Sequence, residues 1–104
     1  MSESVMTTNS IGNKFWRNSK GEYHRTDGPA IEWIDGDKEW YENGERHRLN
    51  GPAIEWLSGK KTWYVNDKYL GDNDKGFWRL WDKLTPKQKK DPVLLSYLPG
   101  DFNV

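Results

Sequence analysis

The side chains best suited to chemistry in this chain come in matched pairs. His24 and His47 stand 23 residues apart, each followed by Arg and, three residues on, by Asp27 or Asn50. Imidazoles in such company can bind a metal or carry a proton. Glu32 and Glu55 form the obvious carboxylate pair, the residue type that divides acid and base roles in glycoside hydrolysis. Duplication explains both pairs more simply. Equivalent strands of stacked hairpins lie two or three strand spacings of about 4.8 Å apart, too far for two histidines to share a compact metal site without a third ligand. A catalytic pair also needs two unlike surroundings, which duplicated positions do not supply. No nucleophile elbow, phosphate-cradling glycine loop or zinc motif is present. The sequence therefore assigns no catalytic residue, no metal ligand and no cofactor, and the chain reads as non-enzymatic.

The elements that position these pairs are equally duplicated. The string His24-Arg25-Thr26-Asp27-Gly28-Pro29-Ala30-Ile31-Glu32-Trp33 returns as His47-Arg48-Leu49-Asn50-Gly51-Pro52-Ala53-Ile54-Glu55-Trp56, and Gly36, Trp40, Tyr41 and Asn43 recur as Gly59, Trp63, Tyr64 and Asn66. A fixed period of this length marks stacked supersecondary units. Asp35-Gly36 and Asn43-Gly44 favour tight hairpin turns. A two-residue loop at Asp35-Gly36 pairs Trp33 with Lys38 and Ile31 with Trp40; one at Ser58-Gly59 pairs Trp56 with Lys61 and Ile54 with Trp63. One face then carries Ile31, Trp33, Trp40, Ile54, Trp56 and Trp63 as the core, and the other carries Tyr41, Tyr64, Glu32 and Glu55. That register sets Glu32 against Glu39, so a three-residue loop stays open as an alternative. Lys14-Phe15-Trp16 and the run from Lys61 to Gly71 read as degenerate terminal copies, as expected where a stack must be capped.

Composition fits a thin, aromatic fold. Only 34% of the 104 residues are hydrophobic and 31% are charged; seven Trp, five Tyr and three Phe must supply the burial that aliphatic residues do not. Sixteen basic residues balance sixteen acidic ones, so the global field that drives nonspecific nucleic-acid binding is missing. Cysteine is absent, which excludes disulfides and thiolate metal sites and suits a reducing cytoplasm. Residues 1–13 read as a disordered N-terminus, 14–71 as β-hairpin repeats and 72–104 as a helical cap or docking segment. Within the last, Phe77, Leu80, Trp81 and Leu84 share a helical stripe, Thr85-Pro86 with Gln88 has the form of a capping box, and Asp91-Pro92 opens a second short helix. Between Lys75 and Lys90 six basic residues face one acidic residue.

The run Trp40-Tyr41-Glu42-Asn43-Gly44-Glu45-Arg46-His47-Arg48-Leu49-Asn50-Gly51 resembles the MORN repeat (membrane occupation and recognition nexus). It is closer to a variant carrying the His-Arg-x-x-Gly-Pro-Ala-Ile-Glu-Trp string in small proteins of bacteriophages and large DNA viruses. The likeness spans about Lys14 to Gly71 and departs from the usual pattern where Arg25 and Arg48 stand in place of Gly. It implies an elongated antiparallel sheet that serves as a scaffold or binding surface. It also implies a small phage-type accessory protein of the host cytoplasm that binds and modulates a host protein, such as a component of antiviral defence.

The fold expected is thus mainly β, an elongated antiparallel sheet of stacked hairpins with a 23-residue period, capped by a short C-terminal helical segment. Aromatic and Arg side chains suit interface anchors, so the expected partner contacts are Tyr41, Arg46, Arg48, Tyr64, Trp78 and Arg79. The partner is a host protein or a second copy, the latter through a sheet edge or face. A module for glycan, anionic lipid or single-stranded nucleic acid is the alternative, with nucleic acid and membrane surfaces disfavoured.

Overall fold

The computed structural model describes residues 4–100. It is mainly β: nine strands and two short helices fill an envelope of 47 × 31 × 22 Å. The strands are β1 (Val5–Thr8), β2 (Lys14–Arg17), β3 (Ile31–Glu32), β4 (Lys38–Glu39), β5 (Tyr41–Glu42), β6 (Glu45–Arg46), β7 (Ile54–Glu55), β8 (Lys61–Val65) and β9 (Lys68–Asp72). Seven form one open antiparallel sheet in the order β1-β2-β3-β4-β7-β8-β9, and β5 pairs with β6 in a small second sheet. Helix α1 (Asn73–Trp81) follows β9 directly, and α2 (Pro92–Leu95) follows a turn of 3₁₀ helix at Gln88–Lys90.

The hairpins turn through three residues rather than two. Trp33 N–H bonds the Asp37 carbonyl while Gly36 N–H returns to the Trp33 carbonyl, and Trp56, Lys60 and Gly59 repeat the arrangement. Gly36 and Gly59 sit at φ +108° and +96°, the left-handed position that ends a three-residue loop. The resulting register sets Ile31 opposite Glu39 and Glu32 opposite Lys38, then Ile54 opposite Thr62 and Glu55 opposite Lys61. Electrostatics favours it: a row Lys14, Glu32, Lys38, Glu55, Lys61 alternates in sign across five strands, whereas the two-residue loop sets two glutamates face to face. At Asn43-Gly44, by contrast, both residues have positive φ (52° and 81°), as the tight-turn reading requires.

A one-residue slip moves a whole strand to the other face, so the expected core face is corrected. Trp40 and Trp63 lie on the side of Glu32 and Glu55, while Trp33 and Trp56 lie with Tyr41 and Tyr64. Of the four tryptophans assigned to the core only Trp63 is buried, at 1% exposure, and Trp56 is 39% exposed. The main cluster is built from Trp63, Leu70, Phe77, Leu80, Leu84 and Leu94, with Phe77 and Tyr97 meeting the Trp63 ring edge-on at 5.6 and 5.8 Å. Gly76 permits this approach, because any Cβ there would overlap the Trp63 indole.

The N-terminal reading is corrected as well. Val5–Thr8 pairs with β2 along its whole length, and Asn9 closes the hairpin by accepting the N–H of Asn13 at 3.0 Å. Three β-branched residues and a methionine before an Asn turn carry too little pattern to distinguish from a loose end. Residues 1–3 lie outside the described residues, as do 101–104 of the C-terminal segment. In that segment Thr85 and Gln88 exchange reciprocal bonds, Gln88 Oε1 accepting at 2.8 Å and Thr85 Oγ1 at 3.2 Å, and Asp91 Oδ1 accepts the Val93 N–H at 2.8 Å.

Candidate functional site

The residue pairs that looked chemical are engaged by other groups of the chain. His24 Nδ1 accepts the backbone N–H of Asn43 at 2.9 Å, and His47 Nδ1 accepts that of Asn66 at 3.0 Å. Both asparagines occupy left-handed backbone at φ 52° and 48°, so each histidine satisfies a turn amide of the following unit. Among the described residues no group of three or more His, Cys, Asp or Glu could hold a metal ion.

The carboxylates anchor arginines. Arg48 lies 3.9 Å from the Trp40 ring centroid and donates to Asn50 at 3.1 Å, the Pro52 carbonyl at 3.1 Å, Glu55 at 3.2 Å and the Tyr97 hydroxyl at 3.4 Å. Tyr97 in turn donates a hydrogen bond to Glu55; burial, that bond and the Glu55 charge hold its phenol above the usual range, against the pull of Arg48. Arg25 repeats the motif, 3.9 Å over Trp16 and bonded to Asp27, the Pro29 carbonyl and Glu32. Gly28 and Gly51 make room for it, since a Cβ at either would crowd the guanidinium. Trp16, Trp40 and Trp63 lie on one face of the sheet. Arginine covers the first two, and α1 with Tyr97 covers the third.

The opposite face is arranged differently. There a run of rings crosses the sheet: Trp33 meets Phe15 edge-on at 5.8 Å, Phe15 stacks on Tyr23 at 6.1 Å, Tyr23 meets Tyr41 at 5.4 Å, and Tyr64 meets Tyr69 at 5.6 Å. Two guanidinium groups tie the run together. Arg17 sits 5.3 and 5.0 Å from Phe15 and Tyr23, and Arg46 bridges Tyr41 and Tyr64 at 5.5 Å from each. Glu39 fixes the centre: it accepts from Trp33 Nε1 at 2.7 Å and the Tyr41 hydroxyl at 3.1 Å and pairs with Arg46 at 3.7 Å. Burial first and the Glu39 charge second raise the Tyr41 phenol to about 12, partly offset by Arg46. Most of these rings are half-buried, and Tyr69 is exposed.

The structure therefore divides the expected contact residues. Tyr41, Arg46 and Tyr64 come together in the aromatic run. Arg48 is on the other face, engaged by five groups of its own chain. Trp78 packs on Phe77 at 4.8 Å and Trp81 at 5.9 Å at the rim of the core, and Arg79 donates to the Leu70 carbonyl at 3.0 Å. Sequence reasoning missed Phe15, Arg17, Tyr23, Trp33, Glu39 and Tyr69 as members of the face. The like charges of Glu32 and Glu39 were the available clue to Trp33 and Glu39, since they disfavoured the register that separated Trp33 from Tyr41.

A cleft of about 450 Å³ on the arginine face, lined by Trp40, Leu49, Gln88 and Val93 among others, is crossed by a 3.3 Å hydrogen bond from Asn50 to Asp91. No described helix is long and apolar enough to cross a membrane. No protein-family model, curated protein or solved structure matches the chain.

Proposed function

We propose that this chain is a non-enzymatic interaction protein that docks a protein partner on its open, aromatic sheet face. The observation that supports the reading is the run from Trp33 to Tyr69, half-exposed rings interleaved with Arg17 and Arg46 on one face of the β framework. Tyr, Trp and Arg are the residue types that dominate interface energetics. Rings already held by neighbours and by Glu39 lose little further freedom on binding. In this reading the 23-residue hairpin unit extends the face and the C-terminal helical segment closes the stack. The likeness to phage-type MORN variants supplies the setting: a small cytoplasmic accessory protein that modulates a host protein, an antiviral defence component being the target class it suggests.

One observation favours a second reading. Arg17 over Phe15 and Tyr23 is also the pairing that single-stranded nucleic-acid surfaces use. The carboxylate of Glu39 at the centre of the face and the balance of sixteen acidic against sixteen basic residues oppose it. The test is capture from a bacterial lysate with wild type, a Tyr41→Ala, Arg46→Ala, Tyr64→Ala variant and a Trp78→Ala, Arg79→Ala variant, beside binding assays with a single-stranded oligonucleotide and anionic vesicles. A host protein retained by wild type and the tail variant but lost in the face variant supports the proposal. Salt-sensitive oligonucleotide binding without a captured protein would replace it with the second reading.

A further inference from the structure

The two edges of the seven-stranded sheet are built differently. The β9 edge is blunted in ways that natural sheets use against further pairing: it carries Lys68 and Asp72, its ladder with β8 slips at Trp63/Tyr64, and α1 follows it without a break. The β1 edge has none of these devices. Val5-Met6-Thr7-Thr8 contains no charge, proline or glycine, pairs with β2 without a bulge, and every residue in it is exposed, Val5 at 69% and Met6 at 46%. Among the described residues no strand lies beyond it.

The backbone fixes which groups of β1 are left over. Trp16 donates to the Ala30 carbonyl and accepts from His24, so its polar groups point away from β1, and those of Phe15 and Arg17 point toward it. Their partners are Thr7 and Val5, in phase with the Asn9 to Asn13 bond of the same hairpin. Met6 and Thr8 therefore turn their N–H and C=O groups outward.

From this placement we infer that β1 is the seam of a homodimer, pairing antiparallel with β1 of a second copy so that Met6 faces Thr8 of the partner strand and Thr7 faces Thr7 across the two-fold axis. Outward-facing groups must meet outward-facing groups, and this register gives four backbone hydrogen bonds within residues 5–8. The occupant is a second copy because the strand is self-complementary. Its own residues carry no charge, the nearest being the Arg17 guanidinium that donates to the Thr7 hydroxyl at 3.3 Å; a Thr–Thr pair is a favourable cross-strand match, and two chains of zero formal net charge meet without global repulsion. Thr7 shares a face with Phe15, its cross-strand partner. A two-fold axis normal to the sheet leaves both aromatic runs on one side of a continuous fourteen-stranded sheet, so the dimer displays the docking face twice. The inference stands apart from the proposed function, since it concerns the edge and not the identity of the partner.

The test is sedimentation equilibrium of the full chain, with two variants. Wild type is expected at twice 12.3 kDa at tens of micromolar. Met6→Pro removes an outward backbone N–H at a place where an edge strand tolerates proline; it is expected to give a single 12.3 kDa species whose thermal midpoint matches that of wild type at concentrations low enough for the wild-type dimer to dissociate. Because the chain has no cysteine, Thr7→Cys reports the register directly. A non-hydrogen-bonded antiparallel pair brings Cα atoms to roughly 4.5 Å, within disulfide reach. Thr7→Cys is expected to form a covalent dimer under mild oxidation, while Met6→Cys and Thr8→Cys do not. A wild type that stays monomeric with no Thr7→Cys cross-link overturns the inference. So does a dimer that survives Met6→Pro and cross-links no better through Thr7→Cys than through its neighbours. Should Met6→Pro fail to fold, the three cysteine variants decide alone.

Discussion

The guanidinium of Arg48 lies 3.9 Å from the centre of the Trp40 ring, which makes a cation the lid on a half-buried indole. Arg25 does the same over Trp16, so the Arg of the repeated His-Arg string is a structural residue bound to a carbonyl and a carboxylate four and seven residues along the chain. Arg48 is the more enclosed of the two, with its side chain 11% exposed against 22% for Arg25.

Removing the Arg48 guanidinium leaves Glu55 and the Pro52 carbonyl short of a donor in a half-buried layer. Arg48→Ala is expected to cost about 3 kcal/mol of unfolding free energy, and Arg48→Lys to recover little of it because an ammonium cannot reproduce the planar fork. Arg25→Ala is expected to cost less, since its partner Asp27 is 84% exposed. Urea denaturation of the three variants checks the order.

The histidine clasps predict an unequal pair. His24 is 1% exposed, and His24→Ala strands the Asn43 amide, a loss of roughly 1–3 kcal/mol. The more accessible His47 should cost less. Hydrogen exchange should show the Asn43 amide losing protection in His24→Ala while the Asn66 amide keeps it.

Tyr41 predicts an alkaline transition. Its phenol ionises near 10.0 unfolded and at about 12 folded, so ionisation favours the unfolded chain. The stability tied to this raised value is fully present below pH 10, falls between pH 10 and 12, and is gone above that. Tyr69 and Tyr97 are shifted in the same direction and add to the fall. The urea midpoint of wild type should therefore drop more steeply from pH 10 to 12 than that of Tyr41→Phe.

Much of this fold was legible in the sequence, and the errors share one cause. The duplicated Gly-Pro-Ala-Ile-Glu-Trp strings located β3 and β7, and Thr85, Gln88 and Asp91 located both short C-terminal helical turns, because caps and turns are local chemistry. The loop at Asp35-Gly36 admits both a two-residue and a three-residue turn, and that single residue decides which face every side chain of the following strand takes. The grouping of Trp40 with Trp33 and of Tyr41 with Glu32 follows from it, and the equivalent loop at Ser58-Gly59 does the same to Trp63 and Tyr64. Tyr23 and Phe15 were missed because their meeting depends on a second turn, from Asn18 to Glu22, that closes through the Asn18 side chain. Arg48 reads as a surface cation in the sequence, which does not show that four acceptors and an indole converge on it.

Site-specific photocrosslinking tests the docking face most directly. A benzoyl-phenylalanine placed at Tyr23, Tyr64, Lys38 or Lys14 of the full chain is irradiated in a bacterial lysate, and adducts are identified by mass spectrometry. The two aromatic positions lie on the open face and the two lysines on the charged row behind it. Adducts from Tyr23 and Tyr64 to one and the same host protein, with none from Lys38 or Lys14, are the expected result. Adducts to that protein from the lysine positions alone, or none from any of the four, would contradict the assignment of the aromatic face as the docking surface.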